Sequence, residues 1–215
     1  MKHPLGTDQL GRDVLSRILH GARISLKISI IAVSISAIIG ISLGLTAGFF
    51  GGSWDSVIMR ITDIFLAFPS LILAMAISAA LSPSVEHAII AIAFRAWTSY
   101  ARLARGEALR IREKEFVEAS RSFGSSPLHI MIRHIFPESS PVLVVRASLS
   151  MGAAVLTAAS LGFLGLGAQP PTPEWGIMIT EGRNFLPDSW WIATFPGIAI
   201  LLTVLGFNLL GDGFR

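Results

Sequence analysis

The chain has 215 residues, of which 52% are hydrophobic and only 14% are charged, and its formal net charge is +3. A water-soluble domain of this size rarely carries so little charge, so the composition predicts an integral membrane protein. Because the chain has no cysteine, a disulfide framework and a thiolate metal site are both excluded. The first 24 residues are polar and lack a central apolar stretch, which argues against a cleavable signal peptide.

The segment ahead of the first long apolar run has an amphipathic pattern. Apolar residues recur there at helical spacing: Leu10, Val14, Leu15, Ile18 and Leu19. This pattern predicts that residues 1–24 form a helix lying in the membrane interface on the outer side. The alternative is a solvated arm that belongs to a larger domain.

Five apolar runs are long enough to cross roughly 30 Å of hydrocarbon as helices. They cover residues 28–50, 56–81, 85–103, 141–167 and 190–210. Glycine, serine and proline clusters separate them, and Pro170, Pro171 and Pro173 predict a loop before the last one. The fold class is therefore predicted to be an all-α membrane protein with five transmembrane helices.

Five spans place the two chain ends on opposite sides of the membrane. The short loop at 82–87 contains no lysine or arginine, whereas the polar block at 107–137 contains one lysine and four arginines. Positive residues favour cytoplasmic loops, so we expect the polar block and the C-terminus, including residues 213–215, to be cytoplasmic. The N-terminus is expected to be outside.

The polar block 107–137 has the pattern of two short helices. Residues 115–123 predict the first helix, and Gly124 is suited to a left-handed C-terminal cap that a β-carbon would disfavour. Ser126 and Pro127 predict the start of the second helix, which is expected to end before Pro137.

Leu128, Ile132 and Ile135 are expected to share one face of that second helix. A DNA-reading role is disfavoured, because acidic residues lie among the cations and membrane spans hold both ends of the block. The block is therefore predicted to be a folded helix-turn-helix presented at the membrane surface.

Small residues form a stripe on the first predicted span. Gly40, Gly44 and Gly48 repeat at four-residue spacing and would let another helix approach closely. The stripe predicts tight helix packing, and a second hypothesis is that it lets helices slide or bend during transport.

Arg95 stands well inside the third predicted span. A cation there is costly unless it meets water or a partner, so we expect Arg95 to face a cavity on a transport pathway. The alternative is a shifted span that lets Arg95 reach an interface. Asp63 and Arg60 lie within one helical turn and are expected to form a local ion pair.

No motif in the chain marks an enzyme. The sequence contains no phosphate-binding G-x-x-x-x-G-K-[ST], no G-x-S-x-G and no H-E-x-x-H. His129 and His134 are five residues apart, a poor spacing for one helix face, so no metal site is expected. Trp175, Trp190 and Trp191 are predicted to be interfacial anchors.

The motif E-A-S-x-x-x-G at 118–124, with I-F-P at 135–137, resembles the coupling-helix motif of permease subunits of ABC importers. The family pattern is E-A-A, three residues, G, nine residues, then I-x-L-P. Here Ser120 replaces the second alanine, His134 stands at the isoleucine position and Phe136 replaces the leucine. The spacing and the place between spans are kept.

Four further stretches look like the C-type permease of the dipeptide, oligopeptide and nickel importer group. They cover residues 5–17, 21–26, 160–176 and 207–213. The resemblance implies a type-1 permease domain over 25–212, with coupling helices at about 107–137. Family members usually carry one more span ahead of this region and a longer tail after it, so we expect both in a complete member.

The resemblance also implies the partners. These are a B-type permease, two cytoplasmic ABC ATPase subunits, an extracytoplasmic solute-binding protein and the lipid of the inner membrane, without nucleic acid. ATP and Mg would bind the ATPase subunits, so no cofactor is expected in this chain. By position, the residues implied to couple this chain to the ATPase are Glu118, Ala119, Ser120, Gly124, Ile135 and Pro137.

The expected function is therefore transport of small peptides through a pathway shared with a second permease. A nickel or metal-chelate importer of the same group is an alternative. An ion-coupled carrier or channel is a different class, but no chain of intramembrane Asp, Glu or His residues supports it. A membrane-tethered scaffold would not require glycine-rich spans.

Overall fold

The computed structural model describes residues 3–214, and their regular elements are helices. Met1, Lys2 and Arg215 lie outside the described residues, and Arg215 is the end of the predicted tail 213–215. A π turn at Met131–Ile135 joins α6 to α7, and a 3-10 turn at Arg183–Phe185 follows α8. The helices are α1 Val14–Phe50, α2 Gly52–Leu66, α3 Ser70–Leu81, α4 Val85–Arg112, α5 Glu115–Ser122, α6 Pro127–Ile130, α7 Phe136–Phe163, α8 Trp175–Gly182 and α9 Trp191–Gly213.

The predicted interfacial helix and the first predicted span are one continuous helix. α1 runs for 37 residues, roughly 55 Å, from its N-cap at Asp13, whose side chain accepts from the Ser16 amide at 2.7 Å. The prediction of a separate helix was wrong because no proline or cap interrupts the sequence between the two parts. The chain ahead of α1 is a folded loop in which Thr7 and Asp13 form a β-bridge.

The second predicted span is broken. α2 and α3 meet at 89° across Ala67, Phe68 and Pro69, whereas the sequence predicted one helix over 56–81. Pro69 lacks an amide hydrogen and disfavours helical geometry at Phe68, so the hydrogen-bond ladder cannot continue through it. The sequence prediction missed this break because apolar residues continue on both sides of Pro69.

By length and composition, three helical segments of the described chain could cross a membrane. They are α1, the continuous rod Pro127–Phe163 that contains α7, and α9; α2 and α3 add a fourth if the bent pair counts as one span. α4 is long enough but carries more charge, so its membrane crossing, and with it the count of five, stays a prediction. Many large apolar side chains are exposed on the surface, as at Ile38, Leu202 and Leu209, and suit a lipid environment.

The turn after α5 has the geometry that the sequence predicted. Gly124 has φ +79, and it follows α5 in a Schellman cap. The Ser125 amide donates to the Ser120 carbonyl at 3.1 Å, and the Gly124 amide donates to the Arg121 carbonyl at 2.9 Å. The side chain of Ser126 then caps the next helix by accepting from the His129 amide.

The second helix of the polar block does not end at Pro137, so that prediction was wrong. α6 passes through the π turn into α7, where the Phe136 amide donates to the Met131 carbonyl five residues back. A π turn widens the helix locally and so accommodates a proline that cannot donate. The π turn also changes which side of the helix is buried. Leu128 and Ile132 are exposed, whereas Ile135 is fully buried, so the three do not share one face.

Three apolar clusters follow one another along the bundle. The central cluster joins α1, α4 and α7 through residues that include Ile28, Ile92 and Leu161. The second lies at the end of the bundle that carries α5, here called the α5 end, and includes Val117 and Ile135. The third lies at the opposite end, the α8 end, and packs Trp175, Met178 and Ile200 between α7, α8 and α9.

α8 was missed because the prolines before it predicted only a loop. Trp175, at its first position, is 2% exposed, and its indole nitrogen donates to the Ile18 carbonyl at 3.0 Å. The prediction that Trp175 is an interfacial anchor was therefore wrong. Trp190 is 53% exposed, while the indole of Trp191 donates to the Thr7 carbonyl at 3.0 Å and holds the N-terminal loop.

Candidate functional site

The glycine stripe of α1 lies directly against the backbone of α4. A β-carbon added at Gly48 would lie 2.6 Å from the Arg105 carbonyl oxygen, and one added at Gly44 would lie 2.8 Å from the β-carbon of Ala104 and still closer to the Ala101 carbonyl. Gly40 meets the carbonyl of Trp97 in the same way. The two helices are therefore in backbone contact over three successive turns, a separation that only glycine permits.

The surface formed by residues 115–130 projects from the α5 end of the bundle, and we call it the α5–α6 surface. Val117 and Ser120 point inward and are buried, whereas Glu118, Ala119 and Gly124 are exposed. Exposed acidic and small residues on a short helix leave room for a partner to seat closely.

Buried and charged contacts tie the α5–α6 surface to the rest of the bundle. Val117 belongs to the apolar cluster that α1, α4 and α7 share. The Lys114 ammonium lies 2.5 Å from the Glu138 carboxylate of α7, and the Arg121 guanidinium stacks 5.2 Å from the ring centre of Phe49 in α1. A force applied to the surface would thus reach three long helices through packed contacts.

The remaining residues of the predicted motif have different surroundings. Ile135 is fully buried in the π turn and supports the surface from beneath. Pro137 is exposed in the first turn of α7. Sequence reasoning missed Phe123, whose side chain is 90% exposed at the tip of the turn. Its position seven residues after Phe116 could have revealed it, because seven residues are close to two helical turns and this spacing places two side chains on one side of a helix.

Arg95 lines a cavity of about 70 Å³ between α4 and α7. Arg146 of α7 lines the same cavity, together with Ser99, Ser150 and Thr157. Sequence reasoning did not single out Arg146, although a lone arginine inside the apolar run 141–167 was a usable signal.

A larger open depression of about 470 Å³ adjoins this cavity and shares Ser99 and Arg146 with it. It extends past Arg102 to Glu107, toward the α5 end. The Asp63 carboxylate lies 2.5 Å from Arg102, so the predicted local pair between Asp63 and Arg60 was wrong. Polar side chains thus extend from the middle of α4 toward its end.

A buried ion cluster holds the N-terminal loop against α8. The Asp8 carboxylate accepts from the side chains of Arg12 at 2.6 Å and Arg17 at 2.7 Å, and Arg17 also donates to Glu181 at 2.8 Å. Burial alone would raise the pKa of Asp8. The hydrogen bonds from the amide and side chain of Arg12, the Leu10 amide and Arg17 outweigh burial and lower the pKa below its ordinary value.

We expect Asp8→Asn to lower the free energy of unfolding by about 2 kcal/mol at neutral pH, since charged hydrogen bonds in a buried site are lost. A lowered pKa in the folded state adds stability above the ordinary pKa of 3.8, and this stability is lost as the pH falls through the folded value. The difference in the free energy of unfolding between Asp8→Asn and wild type should therefore shrink as the pH falls. Thermal unfolding in detergent between pH 7 and pH 3 measures it.

Asp188→Asn is the matched control, because Asp188 is exposed in the loop before α9. It should leave the unfolding temperature unchanged at every pH. An Asp8→Asn effect that stayed constant down to pH 3 would contradict the ionic role assigned to the cluster.

A second carboxyl group, Glu174, anchors the start of α8 and is 1% exposed. It accepts from the Ile177 amide at 3.1 Å and from the Ser25 hydroxyl of α1 at 3.2 Å. Gly162 of α7 leaves the space that the carboxylate fills. One side chain therefore joins α1, α7 and α8, and sequence reasoning missed it because it stands among prolines.

The sequence over residues 40–215 matches a protein family described as the binding-protein-dependent transport system inner membrane component. The match covers α4, the α5–α6 surface, the larger depression and, apart from Val33, the lining of the smaller cavity. It begins at Gly40, the first glycine of the stripe on α1.

Curated relatives are similar over almost the whole chain. The chain is 51% identical over 213 residues to the "Probable D,D-dipeptide transport system permease protein" of Escherichia coli, covering 99% of this chain and 72% of that protein. It is 49% identical to the di/tripeptide transport system permease protein of Pseudomonas aeruginosa, covering 98% and 70%. It is 48% identical to the glutathione transport system permease protein of Escherichia coli, covering 100% and 71%.

A solved structure of the inward-facing MetNI methionine ABC transporter contains a chain with the same fold. The TM-score is 0.76 at 20% sequence identity, over 92% of this chain and 94% of that one. At this identity the likeness concerns the arrangement of helices alone.

Proposed function

Because the chain belongs to the family of binding-protein-dependent transport system inner membrane components, we propose that it carries small peptides inward through a pathway coupled to an ATPase at the α5–α6 surface. The protein is a permease subunit of an ABC importer. It is not an enzyme, since in such importers ATP hydrolysis takes place on separate subunits. The family also defines it as an inner membrane component that works with ATPase and substrate-binding subunits.

The α5–α6 surface is the observation that carries the coupling proposal. Glu118, Ala119 and Phe123 are exposed on a short capped helix, while its inner side is packed on the ends of α1, α4 and α7. An exposed aromatic side chain beside a small residue suits insertion into a groove of a partner. Glu118 can pair with a cation of the ATPase or cap one of its helices. ATP and Mg would then act on the ATPase.

The relatives support peptides as the cargo. The three named above are permeases for D,D-dipeptides, di- and tripeptides, and glutathione. These names favour a peptide over the nickel or metal-chelate alternative.

In this proposal, a second permease covers the open side of the cavities and completes the pathway. The larger depression between Leu66 and Glu107 is open at the surface, so a second B-type permease would be needed to enclose a substrate there. The α5 end would face the cytoplasm, where a soluble ATPase can reach it. The N-terminal loop and α8 would face the solute-binding protein outside.

Reconstitution tests the coupling. The permease pair is inserted into liposomes with the ATPases and binding protein, and ATP-dependent dialanine uptake is measured. We expect the double variant Glu118→Ala with Gly124→Ala to lose most uptake and to bind the ATPases at least about tenfold more weakly, because a charge contact is removed and the turn is strained at positive φ. ATPase binding is measured by co-purification and titration.

The matched control combines Glu86→Ala with Gly206→Ala, the same two changes at exposed positions remote from the α5–α6 surface. It should keep wild-type uptake. ATPases that bound the Glu118 and Gly124 variant as tightly as wild type would show that this surface is not the coupling site.

A further inference from the structure

Two arginines in the middle of the bundle lack the acidic partners that other arginines have. Within residues 3–214, Arg95 and Arg146 form no ion pair, whereas six others do: Arg12, Arg17, Arg102, Arg105, Arg110 and Arg112. The Nε of Arg146 is buried and has no hydrogen-bond partner. A buried guanidinium nitrogen without an acceptor is costly, so an anionic group that accepts from it would be stabilised at this position.

The cavity that the two arginines share contains no acidic side chain among its lining residues. Apolar residues such as Val33 and Ile92 form part of its wall, and the hydroxyl residues Ser99, Ser150 and Thr157 form another part. Its two formal charges are therefore both positive, in surroundings where charges are weakly screened. Such a cavity attracts anions and disfavours cations.

The size of the cavity limits what can enter it. A single water needs about 10–15 Å³, so about 70 Å³ is enough for a small anionic group. The adjoining depression of about 470 Å³, which Arg146 also lines, has room for more of a ligand. A ligand with a small anionic end and a larger body matches the two volumes.

We propose that Arg95 and Arg146 form a binding site for the C-terminal carboxylate of the transported peptide. The planar guanidinium group binds a carboxylate through two parallel hydrogen bonds, and two such groups from different helices define its position. The body of the peptide then lies in the depression toward Arg102 and Glu107. This inference rests on the proposed function, because it identifies the peptide terminus that this subunit recognises.

Peptide uptake with and without the carboxylate tests the site. Uptake of dialanine and of dialanine amide is compared in liposomes that contain the complete importer, for wild type, Arg95→Gln and Arg146→Gln. Each variant should lower the ratio of dialanine to amide uptake by roughly tenfold or more, since a hydrogen-bonded charge contact is lost. The same binding protein serves every variant, so its own preference cancels in the comparison.

Arg60→Gln is the matched control, because Arg60 is an exposed arginine of α2 outside both cavities. It should keep the wild-type ratio. Unchanged ratios in both cavity variants would overturn the inference. Failure of either cavity variant to assemble with the second permease would also overturn it, since the arginines would then serve to pair with acids of that subunit.

Chemical labelling separates this inference from the proposed function. The complete complex without ATP is treated with phenylglyoxal, which modifies arginine, and the labelled peptides are quantified by mass spectrometry. We expect dialanine, but not its amide, to slow the modification of Arg95 and Arg146. Absence of this protection, or absence of any labelling at both sites, overturns the inference. Protection in a complex that shows no ATP-driven uptake would uphold the site and reject the proposed function.

Discussion

Replacing Gly44 with leucine is expected to abolish uptake and to prevent isolation of a folded complex. The position lies where α1 touches the backbone of α4, and even a single β-carbon would collide with the Ala101 carbonyl and the Ala104 side chain. Backbone atoms cannot rotate out of the way, so α1 and α4 would have to separate along the glycine stripe. Gly44→Ala should already cost about 1–3 kcal/mol, and leucine should exceed that range.

The control substitution is Gly206→Ala in α9, where an added β-carbon meets no atom within 4 Å. Thermal unfolding in detergent, co-purification with the second permease and ATP-driven uptake are compared for the three variants. We expect stability, assembly and uptake to decrease in the order Gly206→Ala, Gly44→Ala and Gly44→Leu, with Gly206→Ala near wild type. Full uptake and normal assembly of Gly44→Leu would refute both the packing role of the stripe and its role in helix sliding.

Replacing Glu174 with alanine is the second change expected to have a large effect. The carboxyl group caps α8 through the Ile177 amide and accepts from Ser25 of α1, in a site that Gly162 leaves open for it. Alanine would remove the cap, leave two buried donors without an acceptor and open a cavity. We expect the free energy of unfolding to fall by about 3 kcal/mol, and uptake to fall with it as α8 loses its position.

The pH dependence of Glu174 is opposite to that of Asp8. Burial raises the pKa of Glu174 above its ordinary value of 4.5, against the lowering effect of the Gly176 and Ile177 amides and of Ser25. A raised pKa in the folded state adds stability below the ordinary value, and this stability is lost as the pH rises through the folded value. Wild type should thus gain stability relative to Glu174→Gln on acidification, whereas it loses stability relative to Asp8→Asn.

Thermal unfolding of Glu174→Gln and Glu174→Ala at pH 4 and pH 8 measures both effects. Glu86→Ala, at an exposed glutamate on α4, serves as the control and should be nearly neutral. If Glu174→Ala unfolded at the wild-type temperature, Glu174 would not be the residue that fastens α8 to α1.

The two ends of the bundle are built differently, and this bears on how the permease could work. At the α5 end, a helical surface packs on the ends of α1, α4 and α7 through apolar contacts. At the α8 end, ion pairs and Glu174 hold a loop and a short helix against α1. Between the two ends, the glycine stripe of α1 packs directly on the backbone of α4. Displacement of the α5–α6 surface would therefore move both helices together.

The sequence alone determined the features that depend on local composition and spacing. The apolar runs indicated a membrane protein, and Gly124 marked the reversal after α5 because a positive φ strongly favours glycine there. Gly40, Gly44 and Gly48 indicated close packing, and a cation within an apolar run placed Arg95 beside a cavity. The resemblance to the family motifs then predicted a coupling surface, whose contact with an ATPase remains a prediction.

Only the tertiary structure decided what depends on residues distant in sequence. Arg95 and Arg146 share a cavity because α4 and α7 pack together, and Asp63 pairs with Arg102 rather than with Arg60 for the same reason. The tertiary structure also decided which helices continue through a proline and which do not. Pro69 bends its span by 89°, while a π turn carries the helix through Pro137. Whether a proline breaks a helix depends on whether neighbouring backbone can adjust around the missing hydrogen bond, which local sequence does not reveal.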